Sequence, residues 1–188
     1  MKYTLFFLTL LCILTGCTQK EATSQETVAA YYRAVAEGNY QEISSLISDS
    51  ITITAGDYVM PFDKESYYEH FKWDSIFKPS FEVVSIENDN AEVIATVAVS
   101  SLRFEFLKNN PLTCSHKIYL HEGNITKLEE ITCIDVNWDV WQQERDSLVA
   151  WTARNHPELD KFINDLSMKG AIKYKKAVEL YVGRGGED

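Results

Sequence analysis

The chain has 188 residues and is acidic, with 28 Asp and Glu against 18 Lys and Arg and a net charge of −10 at pH 7. A charge of this sign argues against nucleic acid as a partner and against adhesion to anionic lipid head groups. The content of 45% apolar and 12% aromatic residues excludes a disordered chain and suits one globular domain with a core.

The first 16 residues have the pattern of a secretory leader. Lys2 precedes an apolar run over residues 3–14, which is shorter than the roughly 20 residues of a bilayer span. The run ends in Leu-Thr-Gly-Cys at positions 14–17, which resembles the lipobox of bacterial lipoproteins, where small residues precede a cysteine that receives diacylglycerol. The resemblance implies that residues 1–16 are removed and that a lipid on Cys17 holds the protein on a membrane.

The residues after the cysteine suggest a location. Residues 17–25 are the lipidated cysteine and a polar stretch without hydrophobic period, which predicts a flexible tether. No aspartate follows Cys17 directly, so nothing resembles the usual inner-membrane retention signal, and the expected location is the cell envelope, at the outer membrane. The alternative is an ordinary secretory leader with a chance cysteine.

Helices are predicted in the first half of the mature chain. Apolar residues at helical spacing predict a helix over 26–37 that ends at Gly38. A second, short helix opens at Asn39-Tyr40 and buries Ile43, Leu46 and Ile47. Alternation over 51–54 indicates a strand, and Asp63 is placed to cap a third helix from Lys64 to about Phe77.

Long strands are predicted next. They cover residues 81–87, 91–107, 112–120 and 125–137, with breaks at 88–90 and 109–111 and a turn at 122–124. Helices followed by antiparallel strands indicate an α+β fold.

The order of elements resembles the NTF2-like superfamily in its SnoaL-type branch. The resemblance covers roughly Gln25 to Trp138, and three motifs carry it: Glu-Gly-Asn-Tyr at 37–40, Asp-Ser-Ile-Thr-Ile at 49–53 and Asn-Ala-Glu-Val at 90–93. It implies an NTF2-like domain over 26–138, in which a curved antiparallel sheet packs on N-terminal helices and forms a cone with an internal pocket. Members include dehydratases, isomerases, cyclases and binding domains without chemistry, so the fold does not give the function.

The chain departs from that pattern after Trp138. A C-terminal helical extension is expected over 139–182, with one helix ending near Asn155-His156, another beginning at Pro157, and Gly170 dividing that one from the last. Residues 183–188 are expected to form a flexible tail. The extension either packs on the sheet or covers the mouth of the cone, and the sequence does not choose between the two.

Two registers compete for the hairpin that carries Cys114 and Cys133. A two-residue Gly123-Asn124 loop sets the two cysteines directly opposite each other, and a disulfide is allowed in an oxidising envelope. The alternation of apolar side chains instead favours a register offset by one residue. A bulge in one strand would reconcile the two.

The offset register creates a candidate catalytic pair. It places His116 opposite Glu130 on an apolar face, where a carboxylate can orient and tune an imidazole base, with Tyr31 or Tyr67 as a proton donor. The alternative is an ordinary cross-strand pair or a satisfied buried histidine. In relatives of ketosteroid isomerase a general-base aspartate follows the first strand; the matching place here is about Thr54, which cannot act as a base.

The aromatic residues of the helices are candidates for a ligand pocket. Tyr31, Tyr32, Tyr67, Phe71 and Trp73 would line a cone able to hold a small apolar molecule, although simple core filling would use the same residues. The four histidines lack metal-ligand spacing, so no metal is expected, and no cofactor motif is present.

These observations favour a lipid-anchored module of the cell envelope that binds a small apolar ligand or an envelope protein, without catalysis. An isomerase or dehydratase using His116 and Glu130 for proton transfer is the alternative. A purely structural protein that docks through its C-terminal helices is a third possibility. The resemblance also implies that a homodimer through the outer face of the sheet is possible.

Overall fold

A computed structural model describes residues 22–89 and 92–184. The expected leader (1–16), Cys17, most of the tether and most of the C-terminal tail lie outside the described residues. Within the described ranges the chain forms an α+β fold in which helices pack on a curved six-stranded sheet. None of the helices in these ranges is long and apolar enough to cross a membrane.

The first helix, α1 (Ser24–Glu37), begins two residues earlier than predicted. Its start is fixed by a capping box, in which the Thr23 side chain accepts the Glu26 N–H and the Glu26 carboxylate accepts the Thr23 N–H. The helix ends at Gly38, whose φ of 69° lies in the left-handed region that glycine adopts without strain. Asn39 then caps α2 (Tyr40–Leu46).

The next segment corrects the sequence prediction in two places. The predicted second helix includes Ile47. In the structure Ile47 is the first residue of β1 (Ile47–Ala55), because its buried side chain packs in the core against the sheet. A hairpin at Gly56 leads into β2 (Tyr58–Asp63), a strand that was not predicted. It contains Pro61, which an edge strand tolerates because one side of its backbone needs no ladder partner.

Helix α3 (Lys64–Ser75) follows directly. As predicted, Asp63 caps it, with its carboxylate accepting the Ser66 N–H at 2.8 Å. The helix is shorter than the predicted range to Phe77.

The remaining four strands are present as predicted, but one is wrong in its second half, another runs into the predicted break at 88–90, and the last ends at 134 rather than 137. They are β3 (Ser80–Asp89), β4 (Glu92–Ser100), β5 (Leu112–His121) and β6 (Asn124–Ile134). The predicted strand over 91–107 is wrong in its second half, which forms the short helix α4 (Leu102–Phe106). The Ser101 hydroxyl accepts the Phe104 N–H and starts this helix.

The strands are arranged in the order β2-β1-β6-β5-β4-β3. All neighbours are antiparallel except β1 and β6, which run parallel. Helix α1 packs against β3 and β4, and the principal core lies between the N-terminal helices and the sheet. Its fully buried members include Val28, Ile43, Ile47, Ile51, Val93, Ile118 and Ile125.

The predicted Gly123-Asn124 loop is wrong, because His121 pairs with Asn124 across a Glu122-Gly123 turn. The register then shifts between Tyr119 and Leu120 and again between Ser115 and His116, which allows both competing registers. Cys114 pairs with Cys133 near the open end of the β5–β6 ladder, whereas His116, two residues further in, pairs with Glu130. Ile131 is the extra residue on β6 between the two pairs, and its side chain is 52% exposed. Cys114 and Cys133 are joined by a disulfide bond.

The C-terminal extension consists of α5 (Trp138–Asn155), two single 3₁₀ turns (Pro157–Leu159 and Phe162–Asn164) and α6 (Met168–Gly183). The helix predicted from Pro157 is therefore wrong. Gly170 does not divide two helices either, because Ser167 caps α6 and Gly170 lies in its first turn, close against Asp165.

The extension packs against helices α3 and α4. It forms a second core cluster with α3 and α4, in which Phe77 and Phe162 each contact the Tyr174 ring. The Trp73 indole also donates a hydrogen bond to the Asp165 carbonyl at 3.2 Å. The end of α3 is thereby tied to the chain between α5 and α6.

Candidate ligand-binding site

The interior of the cone contains two adjoining chambers. The first, here the α1 chamber, has a volume of about 430 Å³ and lies beside Tyr31 and Tyr32 of α1. The second, the α5 chamber, has a volume of about 660 Å³ and lies beside Trp138 and Trp141 of α5. The two chambers have six lining residues in common: His70, Asp74, Phe81, Val97, Val99 and His116.

Most of the predicted pocket aromatics line the α1 chamber. Tyr31, Tyr32, Tyr67 and Phe71 do so, whereas Trp73 lines the α5 chamber. The hydroxyl groups of Tyr31 and Tyr67 lie 2.5 Å apart in a hydrogen bond. Burial raises the pKa of Tyr32 well above its ordinary value and that of Tyr67 to about 12, so both phenols are neutral at physiological pH. The aromatics therefore combine core packing with the wall of a cavity.

His116 lies in the wall that the two chambers share. Burial lowers its pKa to about 4, because the surrounding apolar residues disfavour the charged ring. Its Nδ1 atom is buried and has no hydrogen-bond partner among the described residues. The imidazole is therefore neutral and faces a cavity, which differs from the exposed or satisfied histidine of the alternative interpretation.

Glu130 lies opposite His116 in the strand register and lines the α5 chamber. Burial raises the pKa of its carboxyl group. No hydrogen bond joins the His116 ring to the Glu130 carboxylate in the described part of the chain. The two groups share a cavity wall and are available to a bound molecule separately.

His70 is a second cavity histidine, which sequence reasoning missed. It projects from α3, stacks on Phe62 with ring centroids 5.1 Å apart, and lies 6.1 Å from the Trp73 ring. Burial lowers its pKa, and the nearby Asp74 opposes part of that effect. Its Nδ1 atom is also buried without a partner among residues 22–89 and 92–184. The sequence signal for His70 was its spacing from Tyr67 and Asp74, three and four residues away, which places the three side chains on one face of a helix.

Arg103 is the other missed residue of the site. It lies on α4, in the segment that was predicted to be a strand, and lines the α5 chamber. Its Nε atom is buried without a hydrogen-bond partner in the described structure. Ser101, as a helix N-cap, was the signal that the chain turns here and redirects the arginine.

Three side chains near this wall could donate to a metal ion, but two of them are joined to each other by a covalent bond. Atoms of Cys114, Glu130 and Cys133 lie within 4.8 Å of one another. The two sulfur atoms are bonded to each other, however, and so do not provide the thiolates that a soft metal ion prefers. The chemistry available to the chambers is that of neutral imidazoles, a carboxyl group, a guanidinium group and apolar walls.

Part of the chain matches a protein family. Residues 29–160 match the family described as the Clostridium botulinum HA-17 domain. The chain belongs to this family. No curated protein matches the sequence of this family member.

Solved structures similar to this family member share its fold. A putative polyketide cyclase from Sinorhizobium meliloti is 15% identical with a TM-score of 0.50, over 58% of this chain and 100% of that one. A putative ketosteroid isomerase from Kribbella flavida is 8% identical with a TM-score of 0.51, over 61% of this chain and 79% of that one. At these identities the likeness concerns the fold alone, and the predicted α+β fold, with a curved sheet packed on helices, is confirmed.

Proposed function

We propose that the cone binds a small, mainly apolar organic molecule that carries hydrogen-bonding groups. The observation that carries the proposal is that His70 and His116, which line the same chambers, each have a buried Nδ1 atom without a partner in the described residues. A buried polar atom without a partner costs about 1–3 kcal/mol. A ligand hydroxyl or carbonyl group would remove that cost.

The shape and lining of the chambers support the same proposal. Their volumes of about 430 and 660 Å³ fall within the usual range for sites that hold small organic molecules. Valine, phenylalanine and tryptophan side chains form much of the walls. A few convergent polar groups within an apolar cavity are the usual arrangement of a small-molecule site.

Binding of the neutral fluorescent probe N-phenyl-1-naphthylamine tests the proposal. Val99 lines both chambers, so Val99→Trp should fill space and weaken binding at least about tenfold. Val84→Trp, at a position that is 58% exposed, is the matched control and should bind as wild type does. Absence of binding to the wild-type protein, or equal binding by the Val99 variant, would contradict the proposal.

A second candidate function is proton transfer, favoured by the neutral His116 beside Glu130. A neutral imidazole in an apolar cavity can accept a proton at any pH well above its pKa of about 4. Glu130 lines the same chamber, and its raised pKa would help it return a proton to a product. This would make the protein an isomerase or dehydratase whose bound molecule loses a proton to His116.

Proton abstraction from 5-nitrobenzisoxazole, a general probe of cavity bases, tests this second candidate. The rate should be flat from about pH 5.5 to 8, because the His116 pKa lies below that range. An exposed histidine would instead give a rate that rises near its ordinary pKa. His116→Gln should remove most of the rate, whereas His121→Gln, at the exposed end of β5, should keep it. No rate above that of buffer would exclude the candidate.

We also propose that a lipid on Cys17 anchors the domain to the envelope, at the outer membrane. The leader pattern and the lipobox-like motif at 14–17 support this. The first helix is capped by Thr23, six residues after Cys17, so the tether is shorter than predicted. A chain of that length spans at most about 20 Å, which would keep the domain close to the bilayer.

Mass spectrometry of the protein from its native membrane tests the anchor. A diacylglyceryl adduct on Cys17 with residues 1–16 absent is expected. Cys17→Ser should release the protein into the soluble fraction, whereas Cys12→Ser, within the leader, should not. An unmodified Cys17 or a retained leader would contradict the proposal.

A further inference from the structure

The guanidinium group of Arg103 is enclosed by aromatic rings. Its Cζ atom lies 4.7 Å from the centroid of Phe104, 5.1 Å from that of Trp73 and 5.9 Å from those of Phe77 and Trp141. Such cation–π contacts stabilise the positive charge over the ring faces. They do not accept the in-plane N–H groups of the guanidinium.

Arg103 has no acidic partner in the described structure. None of the ion pairs among residues 22–89 and 92–184 involves it, although the chain carries a net charge of −10. Asp57, Asp74 and Glu130 line the same chamber, but none of their carboxylate oxygens lies within 4.0 Å of a guanidinium nitrogen of Arg103, the limit for an ion pair. The neighbouring Arg145 differs, because its guanidinium pairs with Asp146 at 2.8 Å.

The buried N–H edge of Arg103 is therefore available to a hydrogen-bond acceptor from outside the chain. Its Nε atom is buried without a hydrogen-bond acceptor, and the residue lines the α5 chamber. A guanidinium edge presents N–H groups in a fork that matches the two oxygens of a carboxylate. An amine or a neutral hydrocarbon would leave these donors unpaired.

We propose that Arg103 binds the acidic group of the molecule in the α5 chamber, so that the ligands are organic acids with an apolar body. This inference rests on the proposed function of the cone and specifies its ligand class. The apolar body would lie against Val97, Val99 and the aromatic walls. The acidic group would lie at α4, where Trp73 and Trp141 shield the ion pair from water and so strengthen it.

Two probes with one framework test the proposal. N-phenyl-1-naphthylamine is neutral, and 1-anilinonaphthalene-8-sulfonate adds one anionic group to the same rings. The wild-type protein should bind the sulfonate at least about tenfold more tightly, because this probe offers an anionic acceptor to the guanidinium N–H groups. Arg103→Met should remove that preference and leave binding of the neutral probe, while Arg103→Lys should keep part of it.

A matched control separates a specific contact from the general effect of charge. Arg154→Met removes one positive charge at an exposed position of α5 and should keep the preference for the sulfonate. Binding of the neutral probe with no preference for the sulfonate would overturn this inference and leave the proposed function standing. An unchanged preference in Arg103→Met and Arg103→Lys would also overturn it. Failure of both probes to bind would contradict both proposals.

Discussion

The hydroxyl group of Tyr31 on α1 lies 2.5 Å from that of Tyr67 on α3, inside the core beneath the α1 chamber. Tyr31→Phe should lower the free energy of unfolding by about 1–2 kcal/mol, because the buried Tyr67 hydroxyl then lacks its partner. The double variant Tyr31→Phe/Tyr67→Phe should recover part of this loss, since no polar atom is left unpaired. Urea denaturation of the four proteins of the cycle measures the coupling, and additive losses would contradict the contact.

The Cys114–Cys133 disulfide should stabilise the fold. It closes a sequence separation of 19 residues, for which loop-closure entropy predicts about 3 kcal/mol. Cys114→Ser/Cys133→Ser should therefore unfold at lower urea concentration, and reduced wild-type protein should match it. Wild type that is equally stable with and without reductant would contradict the prediction.

Stability should depend on pH through His116. The folded protein protonates this ring at about pH 4 and the unfolded chain at about 6.5, so the unfolded state binds more protons between these values. The free energy of unfolding should fall by about 3 kcal/mol as the pH drops from 6.5 to 4. His116→Gln should lack that part of the pH dependence. Glu130, with its raised pKa, acts in the opposite direction and remains in both proteins, so their difference isolates His116.

Gly170 should not tolerate a side chain. A Cβ atom there would lie 2.0 Å from the Asp165 carbonyl oxygen and 2.6 Å from the Asp165 Cβ. Gly170→Ala should cost about 2 kcal/mol and displace the carbonyl that accepts the Trp73 hydrogen bond, which a change in tryptophan fluorescence would report. Gly183→Ala, with open space around its Cβ, is the control and should change stability by less than about 0.5 kcal/mol.

Local sequence signals predicted the elements whose formation depends on neighbouring residues. Gly38 ends α1 and Asp63 caps α3 as expected, because these residues act on the backbone within one turn. The segment 102–106 was assigned wrongly because contacts with distant residues, rather than neighbouring residues, select its structure. Its alternating apolar residues fit a strand, and tertiary packing of Phe104 and Phe106 against the C-terminal helices selects a helix.

The candidate site was predicted in part. Parity along β5 and β6 identified His116 and Glu130 as neighbours, and counting from a Gly123-Asn124 turn identified Cys114 and Cys133. The turn is one residue earlier, and both pairs form because the register shifts twice along the hairpin. His70 and Arg103 could not be placed in the same way. They reach the cavity from α3 and α4. The spacing of residues along one strand does not predict how separate elements pack together.

The wall that contains His70 and His116 belongs to both chambers at once. A molecule that reorients either ring on one side alters the surface offered on the other. Under the proposed function, such a molecule would change the affinity of the other chamber for its own occupant, and by reciprocity the factor would be the same in both directions. The affinity measured for one compound would then depend on what occupies the second chamber.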